Sequence, residues 1–307
     1  MTIGNAGTMV GVVCQPDDPS IERKDTGVIF LNAGLVHRVG PSRMYVRLAR
    51  RLAERGFVSL RFDFSGIGDS LPRLDNRPFE QSWIDETQEA MDHLERTQGV
   101  RRFLLVGICS GAVGSFKAAS RDERVRGIVM MNARGFESDA RWRGHVESRG
   151  WMQDYWRKIF SPASWWRALT GKTQYGRLVI VTFYRFITSI KRPEKHSAVA
   201  ESLAGQMSDV LWRGVRLLLV VSTGDHSIHY LREIFGERLE RLRPRDRVEL
   251  IEIDGADHTF TQRIHQLRAL EAVEQWAVTH SAEELARDVQ HRTPTAVPFS
   301  SPVRARG

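Results

Sequence analysis

The sequence is poor in cysteine and contains no long apolar run. Its 307 residues include two cysteines, Cys14 and Cys109, which are too few for a disulfide framework. We therefore expect a reducing compartment, where a cysteine is either an inert core residue or a reactive thiol. No stretch reaches the roughly 20 apolar residues that a membrane-spanning helix needs. Residues 1–13 have no basic segment ahead of their apolar residues, which is not typical of a signal peptide. These absences predict a soluble, cytoplasmic protein.

The composition predicts one folded domain followed by a short tail. Hydrophobic residues make up 41% of the chain and charged residues 27%, values that are typical of a folded protein with a large core. Residues 281–307 differ, since the last sixteen carry several prolines, serines and threonines without apolar periodicity. We expect a domain over residues 1–280 and a disordered tail over residues 281–307.

The net charge of +8 is concentrated in one segment. Residues 141–195 contain eight arginines and four lysines against three acidic residues, a local charge of +9, together with five of the eight tryptophans. The segment lies within residues 138–208, which interrupt the alternation of strand and helix patterns. Such an insertion is expected to form a cap over the carboxyl ends of the strands, where open parallel sheets bind their ligands.

Three interpretations of this basic cap stay open. It could be a solvated arginine face whose tryptophans pack on the core. It could be a pocket for an acidic acyl substrate, with Trp151 and Trp156 as candidates for substrate contact. It could also make peripheral contact with an anionic membrane surface. Nucleic acid binding is not expected, because no nucleic-acid-binding module is recognisable.

Short β-branched runs alternate with helical patterns through the rest of the sequence, which predicts an α/β protein with a mostly parallel sheet. Predicted strands cover residues 28–31, 57–62, 103–106, 125–131, 217–222 and 248–253. Predicted helices open at Pro41 and at a capping box formed by Ser82 and Asp85, and others cover residues 110–120, 231–239 and 262–278.

The segment Gly107-Ile-Cys109-Ser110-Gly111 contains the predicted nucleophile. A strand pattern enters Gly-x-Cys-x-Gly directly and a helix pattern follows at once, which is typical of a nucleophile elbow. The two glycines leave room for the sharp turn, and the helix N-terminus favours the thiolate of Cys109. Ser110 lies one position beyond the apex, so it is the weaker candidate for the nucleophile.

At this point the sequence resembles the α/β-hydrolase superfamily over about residues 25–280. The run Arg-Phe-Asp-Phe-Ser-Gly-Ile-Gly-Asp-Ser at 61–70 is similar to a segment after the fourth strand of that fold. Together, residues 32–34, 37–41, 107–112 and 255–260 resemble hydrolases associated with exosortase and polysaccharide-export gene clusters. The resemblance implies an α/β-hydrolase fold with flanking helices. Cysteine stands where serine is usual, a replacement that dienelactone hydrolases share.

The base and the acid follow the nucleophile along the chain. His258 lies in a short loop after the strand that ends at residue 253, the position of the general base in this fold, and His265 is the alternative. Asp225 follows the strand that ends at residue 222, where the fold places the acid that orients the histidine. Asp254 and Asp257 are its alternatives.

The oxyanion hole is expected to combine the backbone N–H of Ser110 with that of Gly34 or Leu35. His37, in the same loop, either contacts substrate or braces the loop. We predict no metal site, because His226 and His229 have no carboxylate or thiol cluster around them.

These residues together predict a hydrolase of acyl esters or thioesters that forms a covalent acyl-enzyme and needs no cofactor. Two alternatives remain: an acyltransferase that moves the acyl group to a hydroxyl acceptor, and a non-catalytic binding protein on the same scaffold. The substrate and the oligomeric state are not readable from the sequence.

Overall fold

The fold is an eight-stranded sheet in which the β-branched runs of the sequence lie side by side. The computed structural model describes residues 1–4, 7–75, 77–134, 195–236 and 239–292. The strands are β1 (Thr2–Ile3), β2 (Met9–Cys14), β3 (Thr26–Leu31), β4 (Val58–Phe62), β5 (Arg102–Ile108), β6 (Val125–Met131), β7 (Arg216–Ser222) and β8 (Val248–Ile253). Their order is β1-β2-β4-β3-β5-β6-β7-β8. Strand β2 pairs with β1 and with β4 in antiparallel fashion, and all other neighbouring strands are parallel. The predicted α/β-hydrolase architecture is thus confirmed.

Helices cover both faces of this sheet, as parallel strands require. They are α1 (Met44–Ala53), α2 (Phe79–Gln98), α3 (Ser110–Ala119), α4 (Lys195–Trp212), α5 (Ser227–Phe235) and α6 (Arg263–Arg292), with short 3₁₀ turns at Pro41–Arg43 and Arg245–Arg247. Side chains alternate along β5, so Phe103 and Leu105 join the core with α2–α5, whereas Leu104 and Val106 join the core with α1 and α6. Both faces of the central strands are therefore buried.

The predicted strands agree well with the structure, and β6 and β8 have the predicted bounds. The predicted helix over residues 231–239 lies one turn earlier, as α5, because Gly236 ends it at positive φ. The capping box was wrong: α2 begins at Phe79, and the N–H of Ser82 already donates to the carbonyl of Pro78 within its first turn. The antiparallel strands β1 and β2 were not predicted.

The last helix is longer than predicted. It runs to Arg292, so residues 281–292, expected in a disordered tail, are helical here. Its buried face explains part of the extension, because Trp276 stacks on His280 at 5.2 Å between ring centroids. The ring of His280 also hydrogen-bonds the carbonyl of Arg126 at 3.1 Å. Residues 293–307 lie outside the described residues.

Most of the expected cap, residues 138–194, lies outside the described residues. Its predicted end at residue 208 falls inside α4, where Leu203, Ala204 and Met207 are buried in the core with the sheet. This part of the chain therefore belongs to the core rather than to an insertion. In the described ranges, no helix is long and apolar enough to cross a membrane.

Replacing Trp276 by Ala tests how much the docking of α6 contributes to stability. Trp276 is 5% exposed in the core beneath the sheet. Its truncation is expected to lower the free energy of unfolding by about 3–5 kcal/mol, because a large cavity remains. Leu267→Ala, on an exposed position of the same helix, is the control and is expected to change it by no more than about 0.5 kcal/mol. Equal shifts of the two urea unfolding curves would contradict the docking described here.

Candidate active site

Cys109 occupies a sharp turn between a strand and a helix. It follows β5 directly, has φ 58° and ψ −122°, and immediately precedes Ser110, the first residue of α3. A Cβ on Gly107 would lie 2.2 Å from the backbone of Gly111, and this close approach admits only glycine. The positive φ of a non-glycine residue is strained backbone, and such strain clusters at functional sites.

A tyrosine hydroxyl holds the two strands beneath this turn together. The hydroxyl of Tyr45 donates to the carbonyl of Leu31 at 2.9 Å and accepts the N–H of Ile108 at 3.0 Å. It thereby links the end of β3 to the residue before Cys109. Tyr45 lies in the helix predicted to open at Pro41, and nothing in the sequence distinguished this polar role.

The structure brings His258 and Asp225 together. Asp225 lies three residues past the end of β7, and His258 lies in the loop after β8. Their Nδ1 and Oδ2 atoms are 2.8 Å apart. The same carboxylate oxygen accepts the N–H of Ser227 at 3.1 Å. Because an ionised carboxylate only accepts, Nδ1 of His258 is the donor, which leaves Nε2 on the other side of the ring.

The protonation of the three groups is coupled. Hydrogen bonds to Asp225 and Cys109 raise the pKa of His258 to about 9. Burial opposes ionisation of Cys109, yet the hydrogen bond to the imidazole, its charge and the N–H of Ser110 hold the thiol pKa below its ordinary value of 9.0. Burial likewise opposes ionisation of Asp225, but its bonds to His258 and Ser227 keep its pKa far below the ordinary range. The shifts of Cys109 and His258 both favour the ionised form of the group.

The alternative residues lie elsewhere. Asp254 accepts the hydroxyl of Thr223 at 2.7 Å, and Asp257 accepts the N–H of Thr261 at 2.8 Å. His265 lies in the first turn of α6. The geometry therefore favours Asp225 and His258 over these three.

The loop after β3 reaches the turn at Cys109 through a side chain. The N–H of Gly34 donates to the hydroxyl oxygen of Ser110 at 2.8 Å. The predicted oxyanion donor at Gly34 is thus already engaged with a protein acceptor. Leu35, the other predicted donor of this loop, is 88% exposed.

A buried ion pair shapes the same loop. Arg38 pairs with Asp63, which is fully buried, and with the exposed Asp69. Asn32 donates to Asp63 at 3.3 Å and to the carbonyl of Val36 at 2.9 Å. These bonds fix the loop that carries Gly34. His37 is exposed and its Cβ lies against the turn at Gly68, while Trp151 and Trp156 lie outside the described residues.

Asn132 is a positioning residue that the sequence analysis did not identify. It follows β6 at φ 42°, and its side chain is completely buried. Its amide donates at 2.8 Å both to the hydroxyl of Ser222 and to the carbonyl of His258, and its carbonyl accepts the N–H of Ser222. It therefore ties the strand before the acid to the loop of the base. An asparagine directly after a predicted strand was the signal available.

Arg134 is the second residue that was missed. It lies three residues past β6, and its Nη2 donates to Oδ1 of Asp225 at 2.6 Å. Asp225 thus accepts a hydrogen bond from the imidazole on Oδ2 and from the guanidinium on Oδ1.

The other thiol lies away from this site. Cys14 pairs with Ser59 at the amino end of β4, whereas Cys109 follows the carboxyl end of β5. Burial raises the pKa of Cys14. A cavity of about 850 Å³ lies beside Cys14, at that opposite end of the sheet and away from Cys109. Among the described residues, no group of three His, Cys, Asp or Glu side chains could hold a metal ion.

Comparison with known proteins places this geometry in a family. A family model described as "Alpha/beta hydrolase family" matches residues 28–276. The chain belongs to the alpha/beta hydrolase family. Membership supports hydrolase activity and agrees with the strand–turn–helix at Cys109, the acid after β7 and the histidine after β8.

Individual relatives are distant. A protein of Escherichia coli strain K12 named "Uncharacterized protein YcjY" is 32% identical over 106 residues, which are 33% of this chain and 34% of that protein. The chain thus spans about a third of that relative's length. Proline iminopeptidase of Mycobacterium smegmatis has a TM-score of 0.60 at 16% identity, over 92% of this chain and 99% of that one. Est1E of Butyrivibrio proteoclasticus, bound to ferulic acid, has a TM-score of 0.58 at 14% identity, with the same coverage. At these identities, the two structures share the fold.

The coupling between Cys109 and His258 is measurable as the pH dependence of thiol alkylation. In a Cys14→Ser background, the midpoint for reaction with iodoacetamide is expected below pH 9.0, because the thiolate is the reactive form. His258→Ala removes the hydrogen bond that stabilises the thiolate, so the midpoint should rise by about one unit or more. His265→Ala is the matched control and should leave it unchanged. The same midpoint in all three proteins would show that Cys109 and His258 do not interact.

Proposed function

We propose that this protein hydrolyses acyl esters or thioesters through a covalent acyl-enzyme on Cys109. The observation that carries the proposal is the chain of contacts from Cys109 through His258 to Asp225, at the carboxyl ends of three parallel strands. Ligands of such sheets bind at this end. The sequence resemblance to hydrolases of exosortase and polysaccharide-export gene clusters supports an acyl substrate from saccharide or lipid metabolism.

The reaction begins with the thiolate of Cys109, whose proton has passed to His258. The sulfur attacks the acyl carbonyl carbon, and the carbonyl electron pair moves to oxygen. When the oxyanion collapses, the bond to the leaving group breaks, and the imidazolium of His258 protonates the departing alcohol or thiol. His258 then takes a proton from water, the resulting hydroxide attacks the thioester, and the thiolate leaves. Asp225 holds the imidazole in the tautomer that both steps require.

The developing oxyanion needs two donors near Cys109. The first is the backbone N–H of Ser110. Its hydrogen bond lowers the pKa of the Cys109 thiol, which supports a place close to the sulfur. The second is the hydroxyl of Ser110, which accepts the N–H of Gly34 and is left with its own hydrogen to donate. An amide that donates to a hydroxyl strengthens that hydroxyl as a donor. Leu35 remains the alternative for the second donor.

Intact-mass spectrometry tests the acyl-enzyme. With a panel of short-chain thioesters and aryl esters, the wild type is expected to gain one acyl group transiently, and Cys14→Ser should do the same. Cys109→Ala should gain none, and its hydrolysis rate should fall at least about 10³-fold. His258→Ala should be acylated slowly, because no imidazole accepts the thiol proton or protonates the leaving group. An adduct that persists in Cys109→Ala would contradict the proposal and would direct attention to Ser110.

Substitution of Ser110 tests whether its hydroxyl donates to the oxyanion, because the two interpretations of that hydroxyl predict different changes in kcat. If the hydroxyl donates to the oxyanion, Ser110→Ala should lower kcat about 10²-fold with little change in KM, and Ser110→Thr should retain most activity. If the hydroxyl only occupies the amide of Gly34, its removal frees that donor, and kcat should stay constant or rise. Steady-state kinetics on one thioester separates these outcomes.

Acyl transfer is the second candidate function. The same thioester intermediate can be attacked by an alcohol or a sugar hydroxyl in place of water, and the resemblance to polysaccharide-export hydrolases favours such acceptors. Products formed with and without added alcohols or monosaccharides separate transfer from hydrolysis. A binding protein on the same scaffold would show neither product and no adduct on Cys109.

A further inference from the structure

Arg134 lies beside the catalytic groups but has no place in the mechanism above. It follows the strand next to β5, and its backbone N–H points to the carbonyl of Cys109 at 3.5 Å. Its guanidinium touches Asp225 through one nitrogen only, Nη2. The side chain is 33% exposed, so it reaches solvent at the end of the sheet where substrate would enter.

The contact with Asp225 works against the triad. A carboxylate that orients a catalytic histidine also stabilises the imidazolium by its charge. A guanidinium at 2.6 Å from the same carboxylate offsets part of that charge, so Arg134 weakens the support that Asp225 gives to His258. Ser227 and Asn132 already hold the acid and its strand in place, so Arg134 is not needed to position Asp225. Its presence calls for another function.

The geometry of the guanidinium indicates that function. A guanidinium has five N–H donors in a planar fork that matches a carboxylate in a two-point contact. Within the described part of the chain, the side chain of Arg134 makes one hydrogen bond, to Asp225. The ion pair holds one edge of the fork, and no other side chain or carbonyl of the described residues accepts from its remaining donors.

We infer that Arg134 is a specificity-determining residue that binds a carboxylate of the substrate beside Cys109. The inference rests on the proposed function, since it names the class of acyl substrate that the site selects: one with a carboxylate on the acyl chain or on the leaving group. Arg134 touches the substrate away from the reacting carbonyl, while Asp225 holds the guanidinium in place.

The first test compares two alkylating agents of nearly equal size, iodoacetate and iodoacetamide. Both modify the Cys109 thiolate, so any change in thiol pKa affects the two rates alike, and their ratio reports recognition of the carboxylate. In a Cys14→Ser background, Arg134→Gln should lower the ratio of the iodoacetate rate to the iodoacetamide rate about tenfold, the value of one charged hydrogen-bonded contact. Arg134→Lys keeps the charge but loses the fork, and it should also lower the ratio.

Arg232→Gln is the matched control. Arg232 is equally exposed and pairs with Glu252 at 3.2 Å, away from Cys109. The ratio should not change in this variant. An unchanged ratio in Arg134→Gln would overturn the inference. A ratio that falls in Arg134→Gln but is fully retained in Arg134→Lys would also overturn it, because a general electric field would then suffice. These measurements need no turnover, so they stand even if the proposed hydrolase activity fails.

Substrate pairs supply the second test. Hemisuccinyl and butyryl thioesters of N-acetylcysteamine differ by a carboxylate on the acyl side, and butyryl esters of 4-hydroxybenzoate and 4-hydroxybenzamide differ on the leaving-group side. In at least one pair, Arg134→Gln should lower kcat/KM for the anionic member about tenfold more than for the neutral one. Equal losses within both pairs would mean that Arg134 acts only through Asp225, and would overturn the inference.

Discussion

The hydrogen bond between His258 and Asp225 is the interaction on which the rest of the site depends. Its two residues come from loops after neighbouring strands, β7 and β8, and the parallel register of those strands brings the loops to the same edge. Asn132, from the end of β6, joins the last residue of β7 to the loop after β8 through one side-chain amide. Three consecutive parallel strands therefore bring Asn132, Asp225 and His258 together at one edge of the sheet.

The turn at Cys109 depends on a different constraint, the close packing of β5 against α3. Gly107 and Gly111 allow the turn, and Cys109 accepts a strained backbone at its apex. Burial opposes ionisation of the thiol in this place, but its hydrogen bond to His258 and the charge of that imidazole lower the thiol pKa below its ordinary value. In the proposed mechanism, His258, with its pKa raised to about 9, acts first as an acid for the leaving group. A serine at this position would instead need His258 as a base at the first step.

The sequence predicted the parts of the fold that follow from local pattern. Strands β6 and β8 were placed correctly, because both are short runs rich in Val, Ile and other apolar residues, the composition typical of strands. The turn at Cys109 was readable because the Gly-x-Cys-x-Gly spacing has one structural explanation. The predicted start of α2 was wrong. Both the capping motif at Ser82 and the proline before Phe79 can begin a helix, and the local sequence does not show which of the two does so.

The roles that were missed depend on contacts between residues distant in the sequence. Asn132 and Arg134 meet Ser222 and Asp225 about 90 positions later in the chain, and no periodicity reports such a contact. The same holds for Gly34, whose amide is engaged by a serine hydroxyl 76 residues away. Sequence position gave the strand end at which each residue lies, but only the three-dimensional structure gives its partner.

The imidazole of His258 lies between the carboxylate of Asp225 and the sulfur of Cys109, and its contacts with both favour its charged form. An NMR titration of the ring nitrogens of His258 in ¹⁵N-labelled protein measures this directly. We expect a pKa of about 9 in the wild type, and a lower value in Cys109→Ala and in Asp225→Asn. A wild-type pKa near the ordinary value of about 6.5, unchanged in both variants, would contradict it.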